Sequence, residues 1–208
     1  MSELEQFMHR TMHFPKLVTC ALIHYQFETI HPFLDGNGRL GRLLITLYLT
    51  WQGVLEKPIL YISYYLKKHR QEYYDRLMLT RDTGNYEQWV SFFMHAVIEA
   101  TEAALNDTKR IIDLYAEHEA LLWKQKGISP LATQLLRKLL YHPLITIADV
   151  AQFLDISYPT AAHLVQQFVH LGILQEATGQ KRSRKFVYHE YMKILSEGAE
   201  PKLESYPD

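Results

Sequence analysis

The sequence predicts a mainly α protein, in which a helical core is followed by a small winged helix-turn-helix domain with a short β-hairpin. Three observations support this fold class. Apolar residues recur at helical spacing through the first two thirds of the 208 residues, turn residues interrupt that pattern at 127–130, and strand-like runs flank a basic turn after Gly172. The expected domains are a core over 1–126, a winged helix over 127–195 and a flexible tail over 196–208.

The core begins with a helix opened by Pro15, whose fixed φ suits a first helical position. That helix should end near Ile30, because Pro32 disfavours the α conformation for the residue before it. Three glycines at 36, 38 and 41 then interrupt regular structure, and helical spacing returns from 42 to 51. A further helix is expected at about 63–81, a turn at 82–85, and either one long helix or two within 86–126.

The second part carries the signals of short helices joined by tight turns. Residues 131–141 are amphipathic, Thr146 can cap a helix that reaches about Leu154, and Ser157 or the following Tyr-Pro pair can open another that runs to His170. Strands are expected at 173–176 and 186–188.

Composition excludes several classes of protein. The 22 basic and 23 acidic side chains give a formal charge of −1, so the chain as a whole is no polycation for nucleic acid. The single cysteine, Cys20, lies in an apolar run, which favours a buried thiol and a reducing compartment. No apolar stretch reaches the roughly 18 residues that a membrane helix needs, and no signal peptide is evident. We therefore expect a cytoplasmic protein without membrane contact.

Residues 31–42 read His-Pro-Phe-Leu-Asp-Gly-Asn-Gly-Arg-Leu-Gly-Arg. The segment Gly36–Gly38 is expected to adopt unusual backbone angles, so that its amide groups form an anion-binding nest at the start of a helix. Arg39 and Arg42 lie three residues apart on that helix, which suits contact with several oxygens of one polyphosphate.

Two further side chains complete this chemistry. Asp35 would repel a phosphate unless a divalent cation lay between them, and Mg²⁺ fits best. His31 precedes it by four residues and can accept a proton from an attacking hydroxyl. The pattern indicates phosphoryl or nucleotidyl transfer, and the alternative is a glycine-rich turn with exposed arginines and a packed histidine.

The segment resembles the Fic family motif, His-x-Phe-x-Asp/Glu-Gly-Asn-Gly-Arg-x-x-Arg, and matches it at every defined position. The flanking residues 21–30 and 58–63 also resemble bacterial Fic proteins that carry a C-terminal winged helix. The resemblance is firm over residues 1–105. It implies transfer of AMP from ATP to a Ser, Thr or Tyr hydroxyl of a target protein, with release of pyrophosphate.

The resemblance also assigns roles to residues. His31 would be the general base, and Asp35 would hold Mg²⁺ between the α- and β-phosphates. The ATP-binding residues would be Asp35, Gly36, Asn37, Gly38, Arg39, Leu40, Gly41 and Arg42. Residues 70–74 resemble the stretch whose first tyrosine lines the adenine pocket, so Tyr73 is a further ATP contact; ordinary helix packing explains that tyrosine equally well.

Two features of the family are missing from the sequence. No β-hairpin flap, which aligns the target side chain, is predicted in the 30 residues before His31. No Ser/Thr-x-x-x-Glu-Gly/Asn string, the mark of an inhibitory helix, occurs in the chain. We therefore expect the chain to be either a fragment or naturally shortened form freed from autoinhibition, or a protein that binds ATP yet modifies targets poorly because the flap is missing. Phosphorylation or uridylylation by the same loop stays open.

A DNA-binding regulator with a nucleotide-sensing or inert core is the alternative function. The basic run at 181–185 could contact DNA phosphates, with residues 157–167 as the recognition helix. That helix contains no arginine or lysine, which favours protein contacts or a homodimer over DNA.

Overall fold

The computed structural model describes residues 1–10, 14–57, 60–125, 129–179 and 184–197. In chain order the elements are α1 (Ser2–His9), α2 (Lys16–Ile30), α3 (Asn37–Trp51), α4 (Ile62–Lys68), α5 (Arg70–Thr83), α6 (Tyr86–Lys124), α7 (Pro130–Leu139), β1 (Leu144–Thr146), α8 (Ile147–Leu154), α9 (Tyr158–His170), β2 (Gln175–Glu176), β3 (Lys185–Val187) and α10 (His189–Glu197). The prediction of a mainly α protein with a small antiparallel sheet is confirmed.

The described residues divide into two compact units, one up to Leu105 and the other over residues 106–197. α6 contributes residues to both. The domain bounds expected from the sequence stay predictions, and residues 198–208 of the expected tail lie outside the described ranges.

The first unit is built on α2 packed against α3. α2 ends at Ile30, as Pro32 predicts, and α3 begins five residues before the helical spacing expected from position 42. Around this pair the core is apolar and aromatic, with Trp89 fully buried and donating its indole N–H to the carbonyl of Ala21 at 2.8 Å. Cys20 is buried as expected, and burial raises the pKa of its thiol to about 12.

The single helix expected at 63–81 is wrong in its continuity. The structure has α4 and α5, separated at His69, whose φ of −106° and ψ of 37° leave the helical region. No glycine or proline marks this break, so the sequence pattern could not reveal it. The expected turn at 82–85 is shorter, because α5 runs to Thr83 and Gly84 ends it with a φ of 69°. α6 is one continuous helix of 39 residues.

The helices of the second unit follow their capping residues. The Thr146 side chain accepts a hydrogen bond from the Asp149 amide, and the Asp149 carboxylate accepts from the Thr146 amide, which closes a capping box at the start of α8. The Ser157 hydroxyl caps α9 by accepting from the amide of Thr160. α9 ends at His170, as predicted, and Gly172 follows with a φ of 74°.

The small sheet has the order β1-β3-β2, and both pairings are antiparallel. Phe186 on β3 stands opposite Ile145 on one side and Glu176 on the other. β2 and β3 were expected, whereas β1 was not, because three residues are too few to show a period of two. α10 was also unexpected, and residues 180–183 of the basic turn lie outside the described ranges. None of the helices in the described residues is long and apolar enough to cross a bilayer.

Candidate active site at the start of α3

His31 lies where α2 ends. It is the C-cap of that helix, with a φ of 49° and a ψ of 59°, and its amide donates to the carbonyl of Phe27 at 3.0 Å. Positive φ is uncommon for a residue other than glycine, so the loop holds this residue in a particular conformation. The residue is exposed, as a general base that meets an outside hydroxyl must be.

Gly36 starts α3 by taking a left-handed conformation, with a φ of 81° and a ψ of 3°. Its carbonyl accepts the first helical hydrogen bond, from the amide of Leu40 at 3.0 Å. The amides of Asn37, Gly38 and Arg39 come before that bond, so they have no carbonyl partner within the helix. Such amides at the positive end of a helix dipole form an anion-binding site.

The three residues expected to share unusual backbone angles divide these tasks. Only Gly36 has a positive φ, since Asn37 and Gly38 belong to α3. Gly38 provides space instead, because a Cβ built on it would lie 3.2 Å from Nη1 of Arg42. The absence of a side chain at this position lets the arginine lie back along the first turn of the helix.

Asn37 has a role that the sequence did not indicate. Its side chain is buried, at 2% exposure, and makes two hydrogen bonds to the backbone of Phe33. The side-chain Nδ2 donates to the Phe33 carbonyl at 2.6 Å, and Oδ1 accepts from the Phe33 amide at 2.9 Å. These bonds tie the loop to the start of α3, so that the amides there are held in place.

Asp35 and Arg39 form the exposed edge of the loop. One carboxylate oxygen of Asp35 accepts from the Gly36 amide at 2.6 Å, and the other lies 3.8 Å from Nη2 of Arg39. The Asp35 side chain is 95% exposed, so its second oxygen is accessible to a ligand. Within the described ranges, no group of three His, Cys, Asp or Glu side chains is arranged to hold a metal ion. A Mg²⁺ ion at Asp35 stays a prediction.

A buried polar chain lies on the inner face of α3. His24 Nδ1 is 3.1 Å from the carbonyl of Gly41, and Nε2 is 3.0 Å from the hydroxyl of Tyr73. Burial lowers the pKa of His24 to about 4, so the ring is neutral near pH 7. A carbonyl can only accept, so Nδ1 carries the proton and Nε2 accepts from the tyrosine hydroxyl.

The hydrogen bonds of His24 place two of the expected ATP contacts, Tyr73 and Gly41, inside the core. Tyr73 is 5% exposed and packs among aromatic rings, and burial raises the pKa of its hydroxyl. Gly41 is buried against α2. Leu40 is exposed on the outer face of α3. The roles of these three residues in nucleotide binding stay predictions.

Glu28 is the second residue that sequence reasoning missed. It lies three residues before His31 on α2, and its Oε1 atom is buried without a hydrogen-bond partner among the described residues. Burial raises the pKa of its carboxyl, while the charges of Arg42 and His31 lower it. The i, i+3 spacing of Glu28 and His31 is the signal that could have identified it.

A separate cavity of about 1010 Å³ lies between α1, α2 and the first turns of α6. Apolar side chains dominate its lining, among them Leu4, Phe7, Val18 and Leu22. None of the expected site residues lines it.

Comparisons with known proteins match the part of the chain that contains the motif at residues 31–42. The model of the Fic/DOC family matches residues 1–49. A protein adenylyltransferase Fic from Aedes aegypti is 34% identical over 109 residues, covering 52% of this chain and 17% of the relative. One from Drosophila grimshawi is 37% identical over 86 residues, covering 41% of this chain and 16% of the relative. The chain thus spans about a sixth of the length of these curated relatives.

A crystal structure of a Fic family protein from Desulfovibrio desulfuricans G20 is similar with a TM-score of 0.48 and 22% identity. The match covers 90% of this chain and 53% of that chain. A similarity at this TM-score gives no information about activity.

Proposed function

We propose that this chain, whose residues 1–49 match the model of the Fic/DOC family, transfers AMP from ATP to a Ser, Thr or Tyr hydroxyl of a target protein. The observation that carries the proposal is the start of α3, where left-handed Gly36 exposes three amides beside Arg39 and Arg42, directly after His31. The relatives named protein adenylyltransferase support the reaction class.

The start of α3 would bind the triphosphate. The amides of residues 37–39 would donate to an anion bound at the helix N-terminus, and the two hydrogen bonds between Asn37 and Phe33 hold the loop in place there. The guanidinium groups of Arg39 and Arg42 would neutralise the phosphate oxygens on either side. Because the backbone amides are held in place before the reaction, they would stabilise the charge that develops at the transferred phosphate.

Asp35 would hold Mg²⁺ through its exposed carboxylate oxygen. The bound cation would supply charge neutralisation for the phosphates and fix their orientation. The amide of Gly36 already bonds the other oxygen, which sets the direction of the carboxylate.

His31 would accept the proton of the target hydroxyl as that oxygen attacks the α-phosphorus. A new O–P bond forms, the bond from the α-phosphorus to the bridging oxygen breaks, and pyrophosphate leaves with those electrons. The imidazolium that results lies at the C-terminus of α2, where the negative end of the helix dipole stabilises a cation. The target protein then carries AMP on its hydroxyl.

The direct test is incubation of the purified chain with α-labelled ATP and Mg²⁺, in the presence of cell lysate. Labelled protein that disappears in a His31→Ala variant would support AMP transfer by this loop. An Arg81→Ala variant, on the exposed side of α5, is the control for removal of a cation far from the loop. Absence of ATP binding to the wild-type chain would refute the proposal. ATP binding without labelling would support nucleotide binding by the loop and contradict modification of a protein in that lysate by this chain.

The contacts of the described residues do not favour the alternative of a DNA-binding regulator, which stays a prediction. Arg184 lies 3.5 Å from the carboxylate of Glu176, and its guanidinium lies 5.6 Å from the centre of the Phe186 ring. These contacts occupy the described arginine of the basic turn, and residues 181–183 lie outside the described ranges. The winged helix as a protein-contact or homodimer surface, and the cytoplasmic location, stay predictions.

A further inference from the structure

Glu28 is held in an unusual position for a carboxylate. It lies on the side of α2 that faces α3, and its Oε1 atom is buried with no hydrogen-bond partner in the part of the chain that the structure describes. An ionised oxygen without a donor is costly to bury, because it gives up its hydration. A carboxylate at a solvent-exposed position of α2 would keep its hydration and avoid that cost.

Gly41 makes this position available. A Cβ built on it would collide with Oε1 of Glu28 and lie 3.2 Å from the carboxyl carbon. The carboxylate therefore rests on the bare backbone of α3, directly before Arg42 in the chain. Two helices contribute to the arrangement, the glutamate from one and the missing side chain from the other.

The charged and titratable groups that face Glu28 are few. The described charges that act on its carboxyl are those of Arg42 and, after it, His31. The charge of Glu28 also raises the pKa of the Tyr73 hydroxyl, but that hydroxyl is hydrogen-bonded to His24. The other ring nitrogen of His24 is hydrogen-bonded to the carbonyl of Gly41. The buried carboxylate is thus left with Arg42 as its principal favourable charge.

Arg42 itself extends toward the anion site. Its Nη1 lies beside Gly38 in the first turn of α3, close enough that a Cβ there would come within 3.2 Å. Gly38 and Gly41 lie three residues apart on α3, so the Arg42 guanidinium beside one and the Glu28 carboxylate against the other are neighbours on that helix. The guanidinium has a permanent positive charge and five N–H donors, so it can be attracted by the carboxylate while it donates hydrogen bonds to a phosphate.

We propose that Glu28 is a positioning residue for Arg42: its half-buried carboxylate, which packs against Gly41, attracts the guanidinium and favours the orientation that receives a phosphate at the start of α3. The proposal rests on the proposed function in that the phosphate belongs to ATP. An arginine that is already ordered loses less side-chain entropy when the ligand binds. The free energy lost by burying the carboxylate is then recovered as nucleotide affinity rather than as stability.

The test is a double-mutant cycle on ATP binding, measured by titration calorimetry with Mg²⁺ for the wild-type chain, Glu28→Gln, Arg42→Ala and the double variant. Glu28→Gln should weaken ATP binding by at least about fivefold when Arg42 is present and by less than about twofold when it is absent. An exposed-carboxylate control, Glu5→Gln on α1, should leave the affinity unchanged. Equal effects of Glu28→Gln in both backgrounds, or no effect in either, would overturn the proposal.

Unfolding by urea without nucleotide separates positioning from simple structural support. Because burial outweighs the attractive charges at Glu28, Glu28→Gln should unfold at the same or a higher urea concentration than the wild-type chain. A lower midpoint would make Glu28 a structural residue and overturn its assignment. The same urea series tests the charge pair when ATP does not bind at all: Arg42→Ala should lower the midpoint more in the wild-type chain than in Glu28→Gln. In that case the proposed function fails while the link between Glu28 and Arg42 is still decided.

Discussion

Replacing Gly41 with alanine should destabilise the chain, although alanine favours helices. The new Cβ would collide with Oε1 of Glu28 and lie 3.2 Å from both the Glu28 carboxyl carbon and Cε1 of His24. Inserting a methyl group into a packed site typically costs about 1–3 kcal/mol. The gain in helix propensity from glycine to alanine is about 1 kcal/mol and opposes this. The expected net loss is therefore up to about 2 kcal/mol in the free energy of unfolding, measured by urea denaturation monitored by circular dichroism.

Two further variants decide whether the collision is the cause. Gly38→Ala in the same helix meets only the flexible end of Arg42, at 3.2 Å, so its stability should be close to that of the wild-type chain. Combining Gly41→Ala with Glu28→Ala removes the obstructing carboxylate and should restore most of the lost stability. An increase of about 1 kcal/mol for Gly41→Ala alone would mean that helix propensity dominates and that α2 and α3 are not packed as described.

Three other predictions follow from single contacts. Asn37→Ala removes two hydrogen bonds with Phe33, each worth about 0.5–1.5 kcal/mol, so the free energy of unfolding should fall by about 1–3 kcal/mol and calorimetry should detect weaker ATP binding. For His24, burial lowers the pKa from 6.5 to about 4, so its contribution to stability is present above pH 6.5 and is lost as pH falls toward 4, because the unfolded state binds the proton first. His24→Gln should reduce the slope of urea stability over that range, and an unchanged slope would contradict the assignment. Thr146→Ala opens the capping box with Asp149 and should cost about 1 kcal/mol by urea denaturation, whereas Thr146→Ser, which keeps the capping hydroxyl, should retain most of the stability.

Local signals in the sequence were sufficient for the elements whose ends are set by one or two side chains. Pro32 predicts the end of α2 at Ile30, and Ser157 predicts the start of α9, because each acts on the backbone within a few residues. The break between α4 and α5 at His69 has no such marker. Its position depends on how the aromatic side chains on either side pack, which is a property of the assembled core.

The same distinction applies to the candidate site. The left-handed conformation of Gly36 at the start of α3 could be predicted, because it depends on neighbours in the sequence. The chemical roles of His31 and Asp35 stay predictions. The placement of Tyr73 could not, since its hydroxyl is paired with a histidine 49 residues away. The environment of Glu28 could not be predicted for a related reason, because it depends on the absence of a side chain at Gly41 on another helix.

The three glycines of the loop are required for three different physical reasons, and this has an experimental consequence. Gly36 is needed for a positive φ, Gly38 for the space that Arg42 occupies, and Gly41 for the space that Glu28 occupies. Alanine at position 36 should therefore disturb the start of α3, at 38 the orientation of an arginine, and at 41 the packing of α2 on α3. Measuring ATP affinity and urea stability for all three variants should give three distinct patterns: both reduced for Gly36→Ala, mainly affinity reduced for Gly38→Ala, and mainly stability reduced for Gly41→Ala. A common pattern for all three would show that the glycines act together as one flexible loop, which would contradict the assignment of Arg42 and Glu28 to separate spaces.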